Sequence, residues 1–248
     1  LIISDFDGTL LRTDGTISAE TKSAIDGYIA AGGTFGICTG RMTGSILPRA
    51  KELGLKGLVS SYQGSVITDI ESGKLLVDGY IPAENAAEIC RVFEGLNLHT
   101  HVYTLDEFFV NRQDEALEMY ENVCKVKGKV VKDEPLSSFV LKKGFKVRKV
   151  LAMVYPEEKK RIFGIVSEAL GDKFYVTYSA ASLVEITSRQ YSKGTAVRFM
   201  ADYYCVPVEK TIAAGDSLND LPMLEAAGLG IAVKNADEAL KDKALAFE

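Results

Sequence analysis

Two blocks of alternating strand-like and helix-like segments, one at each end of the chain, constrain this sequence more than anything else in it. Leu1–Ser4, Thr34–Cys38 and Gly57–Ser60 are short apolar runs bounded by turn residues, as expected of strands covered on both faces. Between the first two, Ser18 is a helix N-cap, Glu20 falls in the first turn and Gly32-Gly33 is a stop, predicting a helix over Ala19–Ala31. A second helix runs to Leu53 and closes at Gly54. The rhythm returns after Thr187, with helix Lys193–Tyr204, strand Thr211–Ala214, helix Asn219–Ala227, strand Gly230–Val233 and helix Ala236–Ala244. Such alternation specifies a mostly parallel sheet with helices on its faces.

The segment between the blocks has a different character. Ser65–Asp69 and Leu75–Val77 read as a hairpin, and Thr13-Asp14-Gly15-Thr16 as an earlier turn. A helix follows from Pro82 to about Glu94. Strand-like Thr100–Leu105, Phe108–Val110, Lys149–Val154, Phe174–Tyr178 and Leu183–Thr187 then mix with helical Glu115–Val123 and Glu157–Leu170. The expected architecture is one α/β domain, residues 1–80 and 189–248, interrupted by a second α/β domain with a more antiparallel sheet at 81–188.

Composition narrows the classes of function. A net charge of −5 argues against general nucleic-acid binding. No run approaches the ~20 apolar residues of a membrane span, and no export signal is visible, so a cytoplasmic protein is expected. Cys38, Cys90, Cys124 and Cys205 are scattered without a C-x-x-C pair, which fits reduced thiols better than zinc or a disulfide framework. The chain starts almost inside a strand and ends soon after a helical pattern, so both termini are expected to be trimmed. Between Lys125 and Lys149, nine Lys/Arg face only two acids. That stretch reads as a solvated face or as a positive rim that attracts an anion.

The residues with chemical potential stand where strands end, the place where parallel α/β sheets bind ligands. Asp5-Phe6-Asp7-Gly8-Thr9 follows the first strand. Two residues apart in extended chain, Asp5 and Asp7 project the same way and offer carboxylates to a divalent cation. One can attack phosphorus while the other moves the proton. An Asp-Gly turn or a calcium loop is the competing reading, but an EF-hand needs its glycine two residues later and a helix on each side. Gly215-Asp216-Ser217-Leu218-Asn219-Asp220 closes another strand and opens a helix; carboxylates there suit a metal and helix amides an anion, although Asp216 or Ser217 also serves as an ordinary N-cap. Thr39-Gly40-Arg41 brings a hydroxyl, a permissive glycine and a cation to a third strand end, a set suited to phosphate. Lys193 stands at a helix start, where the macrodipole disfavours a cation unless an anion is close.

In this order, the four pieces resemble the motifs of the haloacid dehalogenase superfamily of phosphatases. The long insertion between the second and third is similar to that of the Cof-like subclass with a large α/β cap. The resemblance implies a Rossmann-like, doubly wound catalytic core with an inserted cap domain for substrate specificity. It implies Mg2+, a phosphoryl-aspartate intermediate and a small phosphorylated metabolite, especially a sugar phosphate, as substrate. Asp5 would be the nucleophile and Asp7 the general acid/base. Thr39, Gly40, Arg41 and Asn219 would hold the phosphoryl group, and Lys193 would neutralise charge. Asp216 would complete the metal shell with Asp5 and the Asp7 carbonyl, with Asp220 supporting both metal and lysine. A phosphomutase and a phospho-ligand binding protein without turnover are the alternatives. Two departures touch the substrate: Gln63-Gly64-Ser65 stands where relatives usually have Asn-Gly-Ala, and Ser188-Arg189-Gln190 replaces a Pro-x-Gly-like approach to the lysine. His99, His101, Tyr103 and the basic segment are candidates for contacts with the leaving group, against the ordinary expectation that such residues simply pack.

Overall fold

The computed structural model describes residues 1–12, 14–179, 182–242 and 245–246. The chain divides into two compact units: residues 1–40, 46–77 and 191–248, and residues 41–45 and 78–190. The joints at 77/78 and 190/191 compare with 80/81 and 188/189 read from the sequence, and the five residues after Gly40 group with the inserted unit.

The first unit opens with β1 (Ile2–Ser4), α1 (Ala19–Ala30), β2 (Phe35–Cys38), α2 (Thr43–Glu52), β3 (Leu58–Ser61), β4 (Val66–Asp69) and β5 (Leu75–Asp78). The inserted unit follows with α3 (Ala83–Gly95), β6 (His99–Tyr103), β7 (Phe108–Val110), α4 (Glu115–Cys124), β8 (Lys129–Val130), α5 (Leu136–Lys143), β9 (Lys149–Met153), α6 (Lys159–Leu170), β10 (Phe174–Ser179) and β11 (Leu183–Ser188). The first unit then resumes with α7 (Lys193–Tyr203), β12 (Ile212–Gly215), α8 (Leu221–Ala226), β13 (Leu229–Ala232), α9 (Glu238–Lys241) and β14 (Leu245–Ala246).

The first sheet has the order β14-β13-β12-β1-β2-β3-β4-β5. It is parallel from β14 to β3, and β4 turns antiparallel to β3. Alternating strand residues divide between two cores. Ile3, Cys38 and Leu58 pack with Val197 and Met200 of α7 and Met223 of α8, while Phe35, Ile37 and Val59 pack with Ile25 of α1 and Ile46 of α2. Period-2 alternation with apolar residues on both faces is what a doubly wound sheet requires. This is the Rossmann-like α/β core read from the sequence, with an inserted α/β unit. Successive strands are added on one side of β1 (β2, β3) and later on the other (β12, β13), so β1 and β12 border a topological switch point.

The inserted sheet has the order β10-β11-β9-β6-β7-β8, antiparallel except for the β7/β8 pair. Val102, Phe109, Val150, Ala152, Val184 and Ile186 form one face and pack with residues of α3, α5 and α6. The register puts Tyr103 opposite Lys149, and Glu185 between Leu151 and Thr177, all on the other face.

Several elements differ from the sequence reading. The expected helix 219–227 is a single 3-10 turn at Leu218–Asp220 followed by α8, with Pro222 in its first turn. The helix expected at 236–244 is observed over Glu238–Lys241, and residues 243 and 244 lie outside the described residues, as does Thr13 of the early turn. The rest of that turn is held by Asp14, whose Oδ1 accepts from the Thr16 amide at 2.9 Å. Within the basic stretch lie β8 and α5, neither of which is among the expected elements. Charge obscured the pattern there: Pro135 as N-cap, Leu136 and Val140 buried four apart, and Gly144 at φ 63 as C-cap mark α5.

Candidate active site

The carboxylates of the site grow from two adjacent parallel strands. Ser4 pairs with Ala214, and the Asp5 amide donates to the Ala214 carbonyl at 2.9 Å. Asp5 therefore leaves β1 beside the point where Gly215-Asp216 leaves β12. One oxygen from each of Asp5, Asp216 and Asp220 lies within 4.8 Å of the others. Asp7 is exposed at the lip and its carboxylate is not one of this group.

Lys193 is the first residue of α7, and Ser192 caps that helix: its Oγ accepts from the Thr195 amide, and its own amide donates to Thr195 Oγ1 at 2.9 Å. The cap fixes the side chain that follows it. Wholly buried, Lys193 Nζ donates to Asp5 Oδ1 at 2.5 Å and to Asp220 Oδ1 at 2.6 Å. Burial opposes the lysine's charge, but Asp220 and Asp5 outweigh it and hold its pKa well above the ordinary value. Burial pushes the Asp5 carboxyl up, against the pull of Lys193. Asp216 is also raised by burial, opposed by a hydrogen bond from Thr9.

Asp220 is fully engaged. Its second oxygen accepts the backbone N–H groups of Asp216 at 2.9 Å and Ser217 at 3.0 Å, so it orients the lysine and ties down the loop carrying Asp216. Gly215 is needed at this bend because a Cβ there would lie 2.4 Å from Asp220 Cβ. Thr9 Oγ1 donates to Asp216 Oδ1 at 2.7 Å. Gly8, at φ +82, leaves the space occupied by that carboxylate; a Cβ would sit 2.6 Å from Asp216 Oδ2. Asn235 Nδ2 donates to the Gly8 carbonyl, and the Asp237 amide to the Asp216 carbonyl, both at 2.8 Å.

These donors fit a hard divalent cation. They are all oxygens, as Mg2+ prefers. Three carboxylates, one of them half-buried, against one ammonium also leave a net excess of negative charge, which a divalent ion would cancel.

Thr39 is buried at the end of β2, its amide bonded to the Ser60 carbonyl and its carbonyl to the Gln63 amide. Asn219 Nδ2 donates to Gln63 Oε1 at 3.1 Å. A Cβ at Gly40 would lie 2.3 Å from Gln63 Nε2, so Gly40 and Gln63 are in direct contact. Arg41 groups with the inserted unit, and its guanidinium donates to Ser45 Oγ at 3.4 Å. The sequence marks Thr9 only as the last residue of the Asp5–Thr9 motif, with no role of its own, and Asn235 and Asp237 not at all, because short polar residues in loops carry no periodic signal. Gln63 was visible there only as a departure.

The inserted unit answers two questions raised by the sequence. Its basic stretch is largely paired with acids of that unit, all but Glu134 from outside the stretch: Lys127 with Glu121, Lys129 with Glu107, Lys142 with Glu134, Lys146 and Arg148 with Asp78, and Lys149 with Glu185. A free positive rim is therefore the wrong description of most of it. The histidines are packed. His99 Nδ1 meets Asp114 Oδ2 at 2.9 Å, and His101 Nδ1 meets Tyr103 Oη, which donates to Tyr120 Oη at 2.6 Å. Burial depresses the pKa of both imidazoles.

All four cysteines are free thiols, and among the described residues no helix is long and apolar enough to cross a membrane. The sequence model of haloacid dehalogenase-like hydrolases matches residues 2–247. Phosphatase YwpJ of Bacillus subtilis is 30% identical, the match covering 97% of this chain and 91% of the relative. The 5-amino-6-(5-phospho-D-ribitylamino)uracil phosphatase YwtE of the same organism is 29% identical, over 98% of this chain and 90% of that protein. Among solved structures, a haloacid dehalogenase-like hydrolase from B. subtilis superimposes with a TM-score of 0.84 at 28% identity, covering 99% of this chain and 93% of its own.

Proposed function

The chain belongs to the haloacid dehalogenase-like hydrolases, and from that premise we propose that it is a Mg2+-dependent phosphatase of small polyol or sugar monophosphates. The observation that carries this reading is the buried Asp5–Lys193–Asp220 chain with Asp216 beside it. Four ionisable groups at a strand switch point are costly to bury and stabilise nothing that apolar packing would not.

In this reading Lys193 holds one oxygen of Asp5, and the other attacks phosphorus. A phosphoryl–aspartate bond forms as the bond to the leaving oxygen breaks. Exposed Asp7 gives that oxygen a proton, then takes one from the water that hydrolyses the acyl phosphate. Thr39, the Gly40 amide and Asn219 hold the phosphoryl oxygens, while Asp5, Asp216 and the Asp7 carbonyl hold Mg2+, with Asp220 in support. The metal supplies charge neutralisation to the phosphoryl group. Fixed charges in a buried site need no reorganisation during the reaction, which gives them their catalytic value.

The substrate class rests on one support: a relative is named for a phosphorylated ribityl compound.

The test is phosphate release from an aryl phosphate and a panel of sugar and polyol phosphates, with Mg2+ or EDTA, for wild type and Asp5→Asn. We expect Mg2+-dependent release that falls by ~10³-fold or more in the variant. Activity surviving in Asp5→Asn would overturn the aspartyl-phosphate route. Isomer formation without phosphate release would indicate a mutase.

A further inference from the structure

The turn after β3 is built in a conformation that its residues do not favour. Tyr62, Gln63 and Gly64 have φ of 50°, 59° and 96°, three left-handed residues in a row, two of them with side chains. Each non-glycine residue in that region is disfavoured, and such turns persist where the surroundings require them. Here the surroundings are specific. The Gln63 amide donates to the Thr39 carbonyl at 3.1 Å, and Gly64 lies so close to the start of α7 that a Cβ would meet the Ser192 carbonyl oxygen at 2.1 Å. The strained backbone delivers one long amide side chain, wholly buried, to two places at once. Gln63 Oε1 accepts from Asn219 Nδ2, and Gln63 Nε2 lies against the Cα of Gly40. Asn219 is itself buried, and its Oδ1 has no partner among the described residues.

We infer that Gln63 is a positioning residue for anion binding. Its carbonyl fixes the plane of the Asn219 carboxamide, and its contact with Gly40 sets the spacing between that carboxamide and the Thr39-Gly40 turn. This rests on the reading above, in which Asn219, Thr39 and Gly40 hold the phosphoryl group. With one Asn219 N–H committed to Gln63, the second N–H remains for a phosphoryl oxygen. The unpartnered Oδ1 accepts from a protonated phosphate oxygen or a water. Without Gln63 the carboxamide rotates, and its contribution to anion affinity is lost.

The experiment is calorimetric titration of inorganic phosphate, with Mg2+ present, into wild type, Gln63→Leu, Asn219→Ala and the double variant. Mg2+ affinity is measured separately without phosphate. Gln63→Leu should weaken phosphate binding about tenfold in the wild-type background and less than about twofold in Asn219→Ala, with Mg2+ affinity unchanged. Equal losses in both backgrounds, no loss at all, or a parallel loss of Mg2+ affinity would overturn the inference. Should Gln63→Leu fail to fold, isosteric Gln63→Glu keeps the acceptor for Asn219 and adds a negative charge at Gly40. It should weaken phosphate and spare Mg2+, and unchanged phosphate affinity would place the anion elsewhere. Failure of wild type to bind phosphate would instead refute the functional reading beneath.

Discussion

At the scale of single residues, the site depends on space as much as on charge. Gly8 is the clearest case. Its φ of +82° disfavours any side chain, and the volume a Cβ would take is filled by the Asp216 carboxylate. In Gly8→Ala, Asp216 must move or the turn must change. We expect Mg2+ affinity by calorimetry to fall about tenfold or more, with the melting midpoint reduced by the ~1–2 kcal/mol cost of a left-handed alanine. Unchanged Mg2+ affinity would mean that Asp216 does not bind the metal in its present position. The sequence showed Gly8 as a turn glycine and Lys193 as a cation at an unfavourable helix end. The resemblance implied that Asp220 supports the lysine, but nothing in the sequence showed that its second oxygen would hold the Asp216 and Ser217 amides, because that follows from how β12, α7 and the 216–220 loop pack.

At the scale of elements, the start of α7 joins local folding to the site. Ser192 and Thr195 satisfy each other's backbone donors, a reciprocal cap that decides where the helix begins and so where Lys193 points. Ser192→Ala removes this and should cost about 1 kcal/mol of stability by chemical denaturation, together with phosphatase turnover. Ser192→Asp keeps an acceptor and should restore most of both. If Ser192→Ala lowered stability without touching turnover, the cap would not be positioning Lys193. Elements with strong local punctuation were legible in advance: β7 at Phe108–Val110 and α1 at Ala19–Ala30 lie within a residue of their expected bounds. β8 was not, since two residues of strand have no periodicity and form only because β7 offers them a parallel partner.

At the scale of the whole molecule, raised carboxyls in the first unit and depressed imidazoles in the inserted unit make stability respond to pH in opposite directions. Asp5 and Asp216 have pKa values raised above 3.8 by burial. Without metal, the stability they contribute is full below that value and is lost as pH rises through their raised values. Mg2+ should therefore raise the melting midpoint more at pH 8 than at pH 5.5. His101 and His99 are depressed below 6.5, chiefly by burial. Their contribution is full above 6.5 and falls as pH drops, by up to about 1.4 kcal/mol per group per pH unit. His101→Phe, melted with Mg2+ present, should show a flatter profile between pH 7.5 and 5.5 than wild type. An equally steep decline would assign the acid sensitivity to other groups.

By itself, the sequence determined the alternation that makes a parallel sheet, the place of an inserted α/β unit, and the chemistry available at three strand ends. Those are local properties, set by hydrophobic period, caps and turn residues acting over a few positions. Tertiary structure alone decided which side chains meet. Lys193 reaches Asp5 across 188 positions and Asn219 reaches Gln63 across 156, distances over which no local pattern carries information. It likewise decided that a strongly basic stretch would be largely paired, because most of its acidic partners lie outside it and adjoin it only after folding. The physical reason is the same throughout. Conformation is chosen residue by residue, whereas desolvation and charge pairing are settled only when separate elements close on one another.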